Sequence, residues 1–420
     1  MFSTLRLVSS LLAGVAFLMV GAGGLSTILA FRMGAAGLPS TVVGIVTSMY
    51  FVGLVLGTGY CHRLITTVGH IRAFAALGSL MSAATLAHAL TLDPWLWGAL
   101  RLIVGFTTVG MYMCTESWLN EKSSNEIRGQ VFSLYQVVLY LGQGVGQFLI
   151  NIPDETGMIL YILTSILMSL AILPVAITRV SAPELPKPVR FRLGRLWGIS
   201  PTGMTASLAS GTIMGAFYGL GALFAQQAGL ATNQTAQFMG AVIIGGLVLQ
   251  WPIGKLSDTM DRRLVMIGIS IATAIVCFLI MNKDVHNGTA LLGLGALFGG
   301  LSFTLYPLAV AYANDYIDAE DRVPASGGLM MSYGIGASIG PTLGSVVMDM
   351  LGAPGMFVYI GIVALILTVF IAWRVTQRAS LPVADQSDYQ AMQRTSQVVY
   401  EMYPESGDDE DSDPEDETRC

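Results

Sequence analysis

A chain of 420 residues would ordinarily divide into two or three soluble domains, but here 53% of the residues are hydrophobic and only 11% charged. Soluble domains carry roughly 25% charge, and a mean hydropathy of +0.65 excludes a water-facing surface for most of the sequence. From Ala379 onward there are 12 acidic and 2 basic residues, which makes the tail −10 and the body +4.

The first apolar stretch has a leader-like start at Met1–Val20, but it runs from Leu5 to Phe31. That is long enough to span a bilayer, so it is read as a retained first helix. Eleven further apolar stretches follow. The twelve predicted spans are 5–31, 41–61, 73–92, 95–119, 130–150, 157–177, 203–226, 235–254, 264–282, 289–313, 324–348 and 354–373. With the N-terminus inside, the short connections carry 16 Lys and Arg on the inside and 2, Arg32 and Lys283, on the outside. This bias predicts an inner-membrane protein with both termini in the cytoplasm.

The one long connection, Arg179–Thr202, is basic and proline-rich, and its stretch from Phe191 to Trp197 suits the surface of the inner leaflet. It divides the chain into a six-helix bundle (1–178), a cytoplasmic linker (179–202), a second six-helix bundle (203–378) and an acidic tail (379–420) expected to be disordered. A shift of 194 positions superposes Gly105 on Gly299, Tyr112 on Tyr306, Asn120 on Asn314, Glu126 on Glu320, Arg128 on Arg322, Gly142 on Gly336 and Gly146 on Gly340. Seven matches in one register indicate duplication. The predicted fold class is an all-α membrane protein of two pseudo-symmetric six-helix bundles, the architecture of alternating access.

The loop after the eighth span reads Gly254-Lys255-Leu256-Ser257-Asp258-Thr259-Met260-Asp261-Arg262-Arg263. It resembles the signature loop of the major facilitator superfamily. Arg101 through Gly105 to Glu116-Ser117, Arg128-Gly129, Gln250 through Gly254 and Thr304 through Pro307 are similar to its YcaD-like branch. Two departures stand out. The loop after the second span keeps Gly59 but has Arg63 where the superfamily usually has aspartate, and the fifth span lacks the proline of the antiporter motif. The resemblance implies a cytoplasmic gate at Gly59, Arg63, Arg128, Gly254, Asp258, Arg262, Asp321 and Arg322. Arg63 is expected to meet the acidic approach to the eleventh span with its charges exchanged, an arrangement weighed against two merely exposed loops.

Arg101 and Glu116 are the only formally charged residues placed well inside the predicted spans. An ion there costs several kcal/mol unless paired or hydrated. At 100° per residue, Arg101, Tyr112 and Glu116 share one polar stripe of the fourth span, with the two charges about 22 Å apart. Gln136, Tyr140, Gln143 and Gln147 share a face of the fifth, as interhelical glue or as a solute-facing wall. Tyr218, Tyr306 and Tyr333 supply matching groups in the second half, with ordinary aromatic packing as the alternative.

The expected function is therefore secondary transport of a small solute, proton-coupled through Glu116, whose neutral form is favoured when the cavity closes. Two alternatives are a transporter-like sensor that signals to a cytosolic partner through its tail, and a soft-metal transporter using Met111, Met113 and Cys114. The expected partners are the solute, protons and the bilayer, without nucleic acid. No Walker loop and no nucleophile–base constellation occurs, so neither a cofactor nor enzymatic activity is expected.

Overall fold

The computed structural model describes residues 2–177, 193–282 and 289–387, together with 389–392, 394–396 and 398. The first half comprises α1 (Phe2–Ala35), α2 (Ser40–Val68), α3 (His70–Ala87), α4 (Pro94–Lys122), α5 (Asn125–Gly146), α6 (Ile159–Leu170) and α7 (Ile172–Ile177). After α8 (Leu193–Ile199), the second half comprises α9 (Pro201–Gln227), α10 (Thr232–Ser257), α11 (Arg262–Ile280), α12 (Thr289–Asn314), α13 (Ala319–Leu351) and α14 (Gly355–Gln377). The helices α6 and α7 are one predicted span broken at Ala171.

Among the described residues, ten spans are long and apolar enough to cross a membrane by themselves. The polar helix α5 and the short α3 complete the twelve through packing on α1 and on α4 and α6. Helix ends depart from the apolar limits, because charged residues extend a helix beyond the hydrocarbon. Thus α13 begins at Ala319 and runs through Pro324 instead of starting there. Local signals fix several ends. The Asp93 side chain accepts the Trp95 N–H at 2.9 Å with Pro94 in the first turn, which starts α4. Gly69, at φ +86°, makes the sharp turn between α2 and α3, a conformation that a side chain would strain.

The duplication is visible in the packing. The first half pairs α2 with α4 and α1 with α5, and the second pairs α10 with α12 and α9 with α13. Equivalent glycines make equivalent crossings. A methyl group on Gly105 would strike the Tyr50 carbonyl of α2, and one on Gly299 would strike the Val242 carbonyl of α10. Gly146 meets the α1 backbone at Val20 as Gly340 meets the α9 backbone at Thr212. Small residues at these points let helix backbones touch, the principal source of cohesion where lipid removes the hydrophobic drive.

The halves close on each other at the end far from the tail. The N-cap of α2 is Pro39, which offers no capping side chain. Asp349 of α13 takes its place and accepts the Ser40 and Thr41 N–H groups at 2.9 Å each. Ser48 and Thr342 add a 2.8 Å hydrogen bond between the same helices. Asp349→Ala is expected to weaken this closure by about 1–2 kcal/mol, the usual worth of a capping carboxylate. The ratio of closed to open far ends should then fall roughly 5–30-fold. Distances between spin labels on the loops flanking α2 and α13 report it, and an unchanged distribution would remove Asp349 as a latch.

Candidate functional site

Between the halves lies a cavity of about 130 Å³ whose walls come from α1, α2, α4 and α5 on one side and α9, α12 and α13 on the other. Of the residues singled out in the sequence, Arg101, Tyr112, Tyr140, Gln143, Gln147, Tyr218 and Tyr333 line it. Arg101 is only 2% exposed. Its Nη2 donates to Ser26 Oγ at 3.0 Å, and its guanidinium carbon stands 4.5 Å from the centre of the Tyr50 ring. Beside the cavity, two further hydrogen bonds cross between the halves: Tyr218 Oη donates to Gln143 Oε1 at 3.2 Å, and Tyr140 Oη to Gln250 Oε1 at 3.3 Å. These tie α5 to α9 and α10 through polar side chains that can exchange partners.

Three expected residues, Tyr306, Gln136 and Glu116, sit outside its lining. Tyr306 is fully buried and packs edge-on against Tyr333, with ring centres 5.1 Å apart, and does not line the cavity. Gln147 lines the cavity while holding the first half together, accepting from Thr27 and donating to the Gly23 carbonyl at 3.1 Å. Glu116 is fully buried outside the cavity lining, where Tyr135 Oη donates to its Oε1 at 2.8 Å and the Ser396 hydroxyl donates to its Oε2.

That last contact corrects the reading of the tail. Residues 379–398, as far as they are described, are not a solvated acidic arm; from Gln386 onward they enter the space between the halves. Residues 399–420, including the acidic run, lie outside the described residues. Ser387 anchors the entry, donating its N–H to Asp315 Oδ1 at 3.0 Å while Arg262 bonds its carbonyl. Tyr389 donates its N–H to Asp258 Oδ1 at 2.9 Å and lays its ring against Gly254. Further in, Gln136 bonds the Ala391 carbonyl, Met392 is buried, and Arg394 Nη1 donates to Tyr333 Oη at 3.3 Å. In the sequence Tyr389, Met392 and Ser396 recur every three or four residues, a helical spacing, but the described residues around them form no α-helix.

The tail also reaches the predicted gate. Arg262 is 1% exposed and pairs with Asp315 at 2.6 Å and with Asp258 at 3.1 Å. Burial pushes the Asp315 carboxyl above its ordinary range, against the opposing pull of Arg262 and Ser387. Asp258 therefore faces the tail backbone, whereas Gly129 at the start of α5 has open space beside it. Asp321 pairs with Arg195 of α8 at 2.5 Å and not with Arg63. Among the described residues Arg63, Arg128 and Arg322 have no ion pair, and a methyl group on Gly59 would meet nothing within 4 Å. Among the described side chains, which do not include that of Glu320, the exchanged-charge contact of Arg63 is not formed. In the linker, residues 178–192 lie outside the described residues, and Leu196 of α8 packs against Gly328 of α13.

The model of the Major Facilitator Superfamily matches residues 11–282 and 207–391. The chain belongs to that superfamily and is a multi-pass membrane transporter. It is 30% identical over 370 residues to an uncharacterized MFS-type transporter of Enterobacter sp. (strain 638), covering 86% of this chain and 94% of that one. It is 28% identical over 375 residues to the uncharacterized MFS-type transporter YcaD of Salmonella paratyphi A, covering 87% and 95%. Among solved structures, a variant of the nucleoside transporter NupG superposes with a TM-score of 0.75 at 14% identity, over 88% of this chain and 99% of that one. A bacterial homologue of the human lysosomal transporter Spinster, inward-facing and unoccupied, gives 0.65 at 11% identity, over 95% and 97%.

Proposed function

We propose that this member of the superfamily moves a small solute across the inner membrane by alternating access, coupled to protons through Glu116. The cavity between the halves is the solute site; the far-end closure through Asp349 supports an inward-facing reading of this state, and the Lys and Arg bias supports cytoplasmic termini. The observation that carries the coupling is the Glu116 carboxylate, buried in α4 with two hydroxyl partners and, among the described residues, no ion pair. An ionised carboxylate there needs water or a proton whenever the site closes. Its partners permit both states, since Tyr135 and Ser396 can donate to the ionised form and either oxygen can accept from the neutral one. Arg101, pinned by Ser26 and Tyr50, supplies a fixed positive charge on the same helix.

The test is flux in proteoliposomes of a solute identified by a thermal-shift screen. A gradient of one pH unit stores about 1.4 kcal/mol per proton, about tenfold in accumulation at one proton per solute. Wild-type protein should accumulate solute under the gradient, and Glu116→Gln should only equilibrate it. Accumulation indifferent to gradient and protonophore sinks proton coupling. A mutant as coupled as wild type removes Glu116 from it.

A further inference from the structure

The most informative occupant of the cavity is Arg394. Its guanidinium carbon stands 4.8 Å from the centre of the Phe303 ring and 5.4 Å from that of Tyr333, and its Nη1 donates to the Tyr333 hydroxyl. Tyr140 and Tyr218 line the same cavity, and the Tyr140 and Phe303 rings pack 5.5 Å apart. Among the described residues no carboxylate pairs with Arg394. A cation brought into such a place without a counter-ion is held by the negative faces of aromatic rings and by hydroxyl oxygens. A guanidinium suits that cage because it is planar, delocalised and weakly hydrated.

We propose that Phe303, Tyr333, Tyr140 and Tyr218 form a subsite for the guanidinium or ammonium group of an organic cation, and that the tail, through Arg394, is a built-in competitor for it. The proposal rests on the reading of this cavity as the solute site. Three features single out the cage from ordinary tail packing. The tail arrives without regular structure, so that Arg394 is delivered by contacts made earlier along the chain, at Ser387, Tyr389 and Ala391. The ring edges belong to helices of both halves, α5 of the first and α9, α12 and α13 of the second, so an occupant senses their relative position. In the same cavity, Arg101 disfavours a second positive charge, which selects solutes with one cationic end and a neutral or anionic remainder.

Equilibrium binding to the purified full-length protein in detergent tests this without any dependence on flux or protons. The probe is L-arginine, and the control is its neutral isostere L-citrulline. Arg394→Ala should bind L-arginine at least tenfold more tightly than wild type and should bind L-citrulline no better than wild type does. Adding Phe303→Leu and Tyr333→Leu to Arg394→Ala should abolish the gain at an unchanged melting temperature. If these substitutions lower the melting temperature, Tyr218→Phe and Tyr140→Phe, which keep the ring faces, must leave the gain intact. The proposal is overturned if Arg394→Ala binds neither probe, binds both equally, or binds L-arginine no better than wild type. Loss of proton-driven flux with L-arginine binding retained would count against the proposed coupling and leave the cage standing.

Discussion

Arg262→Ala is expected to destabilise the protein by about 3–5 kcal/mol, the usual cost of removing one partner from a buried ion pair. The side chains of Arg262 and Asp315 are 1% and 3% exposed and 2.6 Å apart, at the junction of α11 with the end of α12. Without the guanidinium, the Asp315 carboxylate keeps only Ser387 as a partner, and that residue belongs to the tail. The loss depends on pH. Burial already raises the folded-state affinity of Asp315 for its proton above the unfolded value, and removal of Arg262 raises it further. A folded pKa above the unfolded one gives stability that is present at low pH and lost as pH rises through the folded value. The variant should therefore lie closest to wild type in acid and fall furthest behind it at alkaline pH. Replacing the pair with Arg262→Met and Asp315→Leu should recover most of the loss, because two apolar groups leave no buried charge stranded and Asp258, which also loses Arg262, is 34% exposed to water. Thermal unfolding of the purified protein measures all three. A single-mutant loss below about 1 kcal/mol would show a pair that is solvated in solution.

What the sequence disclosed and what it hid divide along a physical line. The spans and the duplication were legible because apolar length and the 194-residue register are properties of the chain alone, and Gly105 and Gly299 do make the same crossing. The polar stripes on the fourth and fifth spans were legible for the same reason. The contribution of α1 and α2 to the cavity was not, since Ser26 and Thr27 of α1 and Thr47 and Tyr50 of α2 carry no charge to mark them. Least legible was the tail. As sequence, Arg394 is a base in an acidic, polar segment, and Ser396 is one serine among several. Their significance lies in Glu116, Tyr333 and Phe303, which come together only when two halves of the chain assemble around a cavity. Asp258 shows the same effect at the gate: its signature loop was recognisable, but its partner in this conformation is the backbone of Tyr389.

Gly254→Leu is expected to expel the tail. Gly254 lies near the end of α10, and a methyl group added to it would fall within the ring of Tyr389; the nearest atoms are all from that ring. The helix itself gains from losing a glycine, so the steric conflict falls on the tail and not on the bundle. Docking of an aromatic side chain is worth about 1.5–3 kcal/mol, and its loss lowers the docked-to-free ratio of the tail roughly 10–100-fold. Met392, two contacts further along and 6% exposed, gives the readout. In a background lacking other cysteines, Met392→Cys should resist a water-soluble maleimide in the parent and react at least tenfold faster with Gly254→Leu. Tyr389→Ala should produce the same acceleration, and combining the two should add nothing, because both remove one contact. Solute flux through the proposed path should rise with the same variants, since the freed cavity no longer holds Arg394. Equal maleimide reactivity with and without Gly254→Leu would mean that the glycine does not seat the tail. Full additivity of the two substitutions would mean that they act at separate places, and the Tyr389–Gly254 anchor would have to be abandoned.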